Sequence, residues 1–316
     1  MTAKEKGATA ARKKRLPLSE IMIIAAFLIM LKMSDTVRRG TWSGLVLTAG
    51  TILPSVFPFM VLGDFLSYCI SRNGLGTAGV VISRIFGVGK SEVGILVSGL
   101  LCGFPSSARA AAEAYKNGNT DKSSAIKLAA ISSNPSPPFI IGAVGAGLSG
   151  STLIGGLLFI SLLFSVVITS AVFGKNRQKS TFPDIIPEQK YSFVASVKNA
   201  GQASITVFSF VALFCALIEI LKSFIGCGVF FSIAVSALEV STAVTHLLAD
   251  TAFPPHILYS LLGFSIGFGG LCANLQCAAF LSDAGLELKK FFLIKLISGV
   301  VCALVTAALT PILILL

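Results

Sequence analysis

Long apolar runs separated by short polar stretches make up most of the chain. The runs begin near residue 21 and continue to the carboxyl terminus, and the charged side chains are concentrated between them. Because one helix needs about 20 apolar residues to cross a bilayer, the chain has room for about eight to ten membrane segments. The pattern therefore predicts an all-α polytopic membrane protein.

Two sequences that cannot continue a helix interrupt the apolar runs of the first half. The motif "GFPSSAR" at residues 103–109 follows an apolar stretch too short to span a membrane, and "SSNPSPPF" at residues 132–139 places three prolines in apolar sequence. Proline lacks a backbone N–H, and lipid cannot satisfy the backbone groups that such a break leaves free. The region near residues 95–139 is therefore predicted to be a re-entrant or broken segment.

The second half contains similar interruptions in the same order. "SGLLCGFPSSA" from Ser98 is echoed by "SALEVSTA" from Ser236, and the broken "NPSPPF" is matched by the glycine-rich "GFGGLCANLQ" from Gly267. Corresponding interrupted segments in two halves of a membrane protein indicate a transporter binding site. We therefore predict two re-entrant or broken-helix repeats.

Composition and charge support this assignment and define its boundaries. Hydrophobic residues make up 54% of the 316 positions and charged residues only 12%, with a mean hydropathy of +0.87; soluble proteins carry about twice this charged fraction. The net charge of +11 is concentrated in an arm at 1–17 and a loop at 174–190, which we predict to be cytoplasmic. The membrane halves are then 18–173 and 191–316. This distribution favours contact with anionic lipid over nucleic-acid binding.

The usual enzyme motifs are missing from the sequence. It contains no Walker loop, no dinucleotide fingerprint and no Cys/His spacing typical of a metal site, and its seven cysteines are scattered through apolar segments. We expect neither an enzyme nor a bound metal or cofactor.

Ionisable residues at membrane depth are costly and need a reason to be there. Asp64, Arg109, Glu219 and Glu239 are the candidates, and Glu239 is the strongest because apolar residues flank it. The hydroxyls that follow it are those of Ser241 and Thr242. Its carboxylate either binds a coupling ion or a polar solute, or pairs with a basic or amide group of the protein.

Arg109 follows the first break, where a half-helix is expected to begin. Its guanidinium, the hydroxyls of Ser106 and Ser107 and the N–H groups at a helix start together make an anion site; alternatively, the arginine extends to the membrane interface. Amide side chains inside the interrupted segments either bind a solute or cap broken helix ends: Asn134, Asn274 and Gln276.

The motifs "GFPSSAR", "NPSPPFIIGAVG" and "GFGGLCANLQCAAFLSDAGLELKKFFLIKLISG" resemble the YlbJ-like family of sporulation integral membrane proteins. These are related to proteins with the nucleoside-recognition (Gate) domain of concentrative nucleoside transporters. The resemblance implies a multi-pass protein of the bacterial cell membrane that moves a small polar or anionic solute. For the sporulation branch it implies dipicolinate, an anionic aromatic dicarboxylate, and the outer forespore membrane.

The resemblance carries over position by position, with two departures. The matching residues are Gly103, Pro105, Ser106, Arg109, Asn134, Pro135, Pro137, Glu239, Gly270 and Gln276. Ser107 stands where the family usually has glycine, and Arg109 stands where it usually has lysine. The resemblance is compatible with a homo-oligomer. A non-transporting membrane scaffold in sporulation or envelope assembly is the alternative function.

Overall fold

The computed structural model describes residues 18–174, 192–249 and 253–315, and these residues form helices and connecting turns without a β-strand. The basic arm at 1–17 and nearly all of the loop at 174–190 lie outside the described residues. Within the described part, five helical stretches are long and apolar enough to cross a membrane, and five shorter apolar helices accompany them. The predicted all-α polytopic membrane fold is confirmed. The five long stretches are Ser34–Ile70, Thr152–Val172, Phe193–Ile225, Pro255–Asp283 and Leu288–Ile312.

The chain enters the fold through three helices: α1 (Leu18–Lys32), α2 (Ser34–Leu47) and α3 (Leu53–Asn73). A π-helical turn, Thr48–Ile52, joins α2 to α3. The turn immediately precedes Pro54, whose ring would clash with the carbonyl one helical turn earlier. Widening of the helix at this point relieves the clash, so α2 and α3 form one interrupted stretch.

The first half then contains a helical hairpin and a broken helix. After α4 (Gly76–Phe86), the hairpin consists of α5 (Val93–Cys102) and α6 (Ser106–Lys116), which pack against each other across residues 103–105. The broken helix consists of α7 (Lys122–Ser132) and a π-helical segment, Pro138–Ser149, separated by residues 133–137. Helix α8 (Thr152–Val172) completes this half.

The second half repeats this order of elements. The long helix α9 (Phe193–Ile225) precedes a hairpin of α10 (Val229–Leu238) and α11 (Val240–Ala249), which again pack against each other. A broken helix follows, made of α12 (Pro255–Phe268) and α13 (Gly270–Asp283), and α14 (Leu288–Leu315) ends the chain. Helix α3 packs against α9, and α8 packs against α14. The two halves therefore pair through their long helices.

Glycines allow each hairpin tip to touch the broken helix of its own half. Gly103 (φ +79°) lies at the first tip, where an added Cβ would be 3.1 Å from the backbone nitrogen of Ser136. Gly270 (φ +70°) lies at the break of the second half, where an added Cβ would be 3.1 Å from the carbonyl oxygen of Leu238. Only glycine readily accepts this left-handed conformation at such a distance. The four breaks in the helices lie at residues 103–105, 133–137, 239 and 269, and these contacts bring them together in two adjacent pairs.

Candidate functional site

All four breaks border one small cavity of about 60 Å³. The hairpin of the first half contributes Phe104 and the broken helix of that half contributes Ser136. The second half contributes Glu239 from its hairpin and Gly269 from its broken helix. The cavity therefore lies where interrupted backbone from both halves meets, and such backbone is tolerated in a membrane protein only inside protein or along a cavity.

A larger cavity of about 380 Å³ adjoins the small one, and Met60 and Cys102 border both. Its volume lies in the range typical of small-molecule sites. Polar and charged side chains from α3, α6 and α9 line it: Asp64, Ser106, Ser107, Arg109, Glu113, Asn199, Gln202 and Thr206. A small polar solute therefore finds both space and hydrogen-bonding groups here.

Arg109 lies one turn into α6 and is paired within its own helix. Its Nε donates to Oε1 of Glu113 at 2.8 Å, and both side chains are about half exposed. Exposed pairs of this kind contribute little to stability because water screens them. The guanidinium is therefore held over the large cavity by a weak contact that an anionic solute can replace.

In the part of the chain that the structure describes, no side chain accepts from the first N–H groups of α6. Pro105 precedes the helix and makes no capping hydrogen bond. The Ser106 hydroxyl donates to the carbonyl oxygen of Gly103 at 2.7 Å, and the Ser107 hydroxyl hydrogen-bonds to that of Ser133 at 2.9 Å. Among the described residues, no carboxylate therefore caps the positive end of the α6 dipole.

Glu239 places a carboxylate at the start of α11, whereas no carboxylate among the described residues caps the start of α6. The buried Glu239 carboxylate links α10 to α11; its Oε1 accepts from the backbone N–H of Ser241 at 3.0 Å and its Oε2 from that of Thr242 at 2.6 Å. The Thr242 hydroxyl lies 3.2 Å from Sγ of Cys215. Among the described residues, the hydrogen-bond donors to the Glu239 carboxylate are thus backbone N–H groups. No basic or amide side chain of the described part donates to it.

The three amide residues divide into two caps and one with an unpaired atom. Asn134 Nδ2 donates to the carbonyl oxygen of Ile131 at 2.7 Å, and Asn274 Nδ2 donates to that of Phe268 at 2.9 Å. Both amides therefore cap a helix end beside a break. Gln276 is buried against the small cavity, and its Oε1 has no hydrogen-bond partner among the described residues.

The structure thus divides the predicted site residues into three groups. Ser106, Ser107 and Arg109 line the large cavity. Glu239, Ser241 and Gln276 line the small one. The side chains that border neither cavity are those of Asn134, Thr242 and Asn274.

Sequence reasoning missed several polar residues of this region. Asn199 and Gln202 line the large cavity, and Asn199 Nδ2 donates to Oδ2 of Asp64 at 3.3 Å. Lys295 is fully buried in α14, where its Nζ donates to the carbonyl oxygen of Ser133 at 2.7 Å and to Oδ1 of Asn134 at 2.9 Å. The available signal was a single lysine inside the apolar run of α14.

Comparison with known proteins supports the resemblance inferred from the motifs. The chain is 23% identical to the sporulation integral membrane protein YlbJ of Bacillus subtilis (strain 168), in an alignment of 312 positions that covers 83% of this chain and 74% of the relative. This confirms the predicted similarity to the YlbJ-like family. It also supports a membrane role, because the relative is an integral membrane protein of sporulation. No family model matches the chain. No solved structure matches it either.

Proposed function

We propose that this protein is a membrane transporter that binds a small anionic solute at the junction of its two cavities. One observation carries the proposal: four helix breaks, two from each half, border a cavity that adjoins a larger polar one. Interrupted backbone within a membrane must be buried in protein or line a cavity, and matching broken helices in two halves are typical of transporters.

One wall of the large cavity carries donors for an anionic group of the solute, and the carboxylates of Asp64 and Glu113 also line this cavity. The uncapped start of α6 and the Arg109 guanidinium are donors that lie on the same wall, beside the hydroxyl groups of Ser106 and Ser107. Helix starts and guanidinium groups are the usual ligands of carboxylates. A carboxylate that binds Arg109 would replace Glu113 as its partner.

The small cavity offers the complementary group, an acceptor. Gln276 Oε1 is buried without a partner among the described residues. A solute group, or a water bound to the solute, can donate the hydrogen bond that this oxygen lacks. The similarity to a sporulation protein makes dipicolinate the first solute to test, with the outer forespore membrane as the proposed location.

The decisive experiment measures uptake of labelled dipicolinate into proteoliposomes, with a nucleoside and a simple dicarboxylate as comparison solutes. We expect saturable dipicolinate uptake that falls about 10- to 100-fold in Arg109→Ala, because a hydrogen bond to a charged group contributes about 1.5–3 kcal/mol. Arg38→Ala is the matched control, since Arg38 is also paired along its own helix, with Asp35 at 3.4 Å, but borders neither cavity. The control should retain full uptake.

The alternative, a non-transporting scaffold, makes different predictions. Folded wild-type protein would then move none of the solutes, with or without an imposed proton gradient. Substitution of Arg109 or Glu239 would alter the abundance or the cellular location of the protein and leave solute flux unaffected. That combination of results would replace the transporter proposal.

A further inference from the structure

A fully buried ammonium group lies at the break of the first half. Lys295 belongs to α14, yet its Nζ reaches the residues that separate α7 from the π-helical segment, where the carbonyl oxygen of Ser133 and Oδ1 of Asn134 accept from it. Ser133 and Asn134 are themselves fully buried. None of the ion pairs among the described residues includes Lys295. Its hydrogen-bond acceptors within the described residues are therefore neutral oxygen atoms.

These acceptors form the kind of site that binds a metal cation in other transporters. Ser133 follows the last residue of α7, so its carbonyl lies at the negative end of that helix dipole. Carbonyl oxygens of unwound helices and the carboxyl ends of half-helices coordinate sodium ions or protons in broken-helix transporters. Here the ammonium of the protein already occupies that position.

The same ammonium also adjoins the break of the second half. A Cβ added at Gly269 would lie 3.8 Å from Lys295 Nζ and 3.4 Å from a ring carbon of Phe104, which belongs to the first hairpin tip. Lys295 therefore lies behind the small cavity, in contact with one broken helix and next to the other. A change in the occupancy of this position would affect both halves.

We propose that the ammonium of Lys295 takes the place of a monovalent metal cation at the break after α7, so that this protein requires no sodium ion. The part of the inference that concerns transport, that no sodium ion is required, rests on the proposed function. Its structural part stands independently: removal of the ammonium leaves two buried oxygen acceptors without the donor that now binds them. A small cation from solution should then bind the vacated space.

The test uses the full-length protein in lipid nanodiscs and the midpoint of its thermal unfolding. Wild type, Lys295→Ala and Lys295→Met are compared in the chloride salts of sodium, methylammonium and N-methylglucamine at equal ionic strength. Lys222→Ala is the matched control, because Lys222 is an exposed lysine in the last turn of α9.

We expect a cation-specific response in one variant only. The midpoint of Lys295→Ala should rise by about 3 °C in sodium or methylammonium at a tenfold excess over the dissociation constant, relative to N-methylglucamine. Lys295→Met should show no such rise, because the methionine side chain fills the space without supplying a charge. Wild type and Lys222→Ala should unfold at the same midpoint in all three salts.

Several results would overturn the inference. One is an unfolding midpoint of Lys295→Ala that is the same in all three salts. A second is a Lys295→Ala variant that fails to fold in every one of these salts. Another is a sodium-specific rise in the wild type. Dipicolinate uptake that requires a sodium gradient would also overturn the inference while leaving the proposed transport function intact. Cation rescue of Lys295→Ala in a protein that moves no solute would support the inference and count against transport.

Discussion

Polar side chains near the four breaks differ in whether the protein already satisfies their hydrogen bonds. Asn134 and Asn274 each cap a helix end, and the Glu239 carboxylate accepts from two N–H groups of α11. Gln276 differs from them because its buried Oε1 has no partner among the described residues. A buried unpaired acceptor costs free energy in the folded protein. We infer that this cost is offset when a solute or its water donates to Gln276.

Replacement of Gln276 by leucine should separate stability from transport. We expect Gln276→Leu to unfold at an unchanged or higher temperature, because it removes an unpaired acceptor that costs about 1–3 kcal/mol. Dipicolinate uptake should fall about tenfold through a higher KM, which corresponds to about 1.4 kcal/mol of binding. Thermal unfolding and the concentration dependence of uptake measure the two effects.

Asn274→Leu is the control on the same helix. It removes the cap on Phe268 and should lower the free energy of unfolding by about 1–3 kcal/mol. If Gln276→Leu lost as much stability as this control and kept full uptake, Gln276 would be a structural residue.

At the scale of helices, the hairpins of the two halves differ at one point. Helix α11 begins with an internal carboxylate, whereas α6 begins after Pro105 without a capping side chain. An anion from outside would have to displace Glu239 at α11, whereas no capping carboxylate among the described residues occupies the start of α6. Under the proposed function, this difference favours the first half as the anion-binding end of the site, although the two halves share their order of elements.

Close packing of α2 on α9 depends on two glycines four residues apart. A Cβ added at Gly44 would lie 2.8 Å from Cα of Ala212, and one added at Gly40 would lie 2.7 Å from Cα of Ala216. Small residues at this spacing let helix backbones approach closely within a membrane. Gly44→Ala should therefore lower the free energy of unfolding by about 1–3 kcal/mol through overpacking.

Gly201→Ala provides the control for this prediction. Gly201 also lies within a helix, but no atom lies within 4 Å of an added Cβ. Its substitution should be neutral or stabilising by up to about 1 kcal/mol, since alanine has the higher helix propensity. Unfolding in a denaturing detergent measures both variants, and equal values for the two would contradict the close packing of α2 on α9.

For the whole molecule, the two cavities suggest a route from the surface to the breaks. Arg109 and Glu113 line the large cavity and are about half exposed, whereas the small cavity lies among the four breaks. Cys102, the last residue of α5, borders both cavities. A solute that moves between the two cavities would therefore pass close to Cys102 and Met60, which border both.

Labelling of Cys102 should report on this route. In a variant that retains Cys102 and has alanine at the other cysteines, we expect dipicolinate to slow modification by a small maleimide about tenfold at ten times its dissociation constant. A variant that retains only Cys227, which is exposed between α9 and α10, should react at an unchanged rate. Equal rates with and without solute at Cys102, in protein that shows saturable uptake, would place the route elsewhere.

Local chemistry was enough to predict several of these features. Long apolar runs with few charges are typical of segments that lie in lipid, and a cluster of prolines within such a run cannot continue a regular helix. The membrane class and the breaks near residues 103 and 134 therefore follow from residue types and their order. The pairing of Arg109 with Glu113 was also open to prediction, because residues four apart share a helix face.

Contacts between distant parts of the chain depended on the tertiary structure. A lysine in an apolar run has the same sequence pattern whether it extends to the interface or is buried, and only the packing of α14 against α7 brings Lys295 to Ser133. In the same way, nothing local to Gln276 indicates that its oxygen lacks a partner. Hydrogen bonds between residues far apart in sequence arise from the packing of whole helices, which local periodicity does not encode.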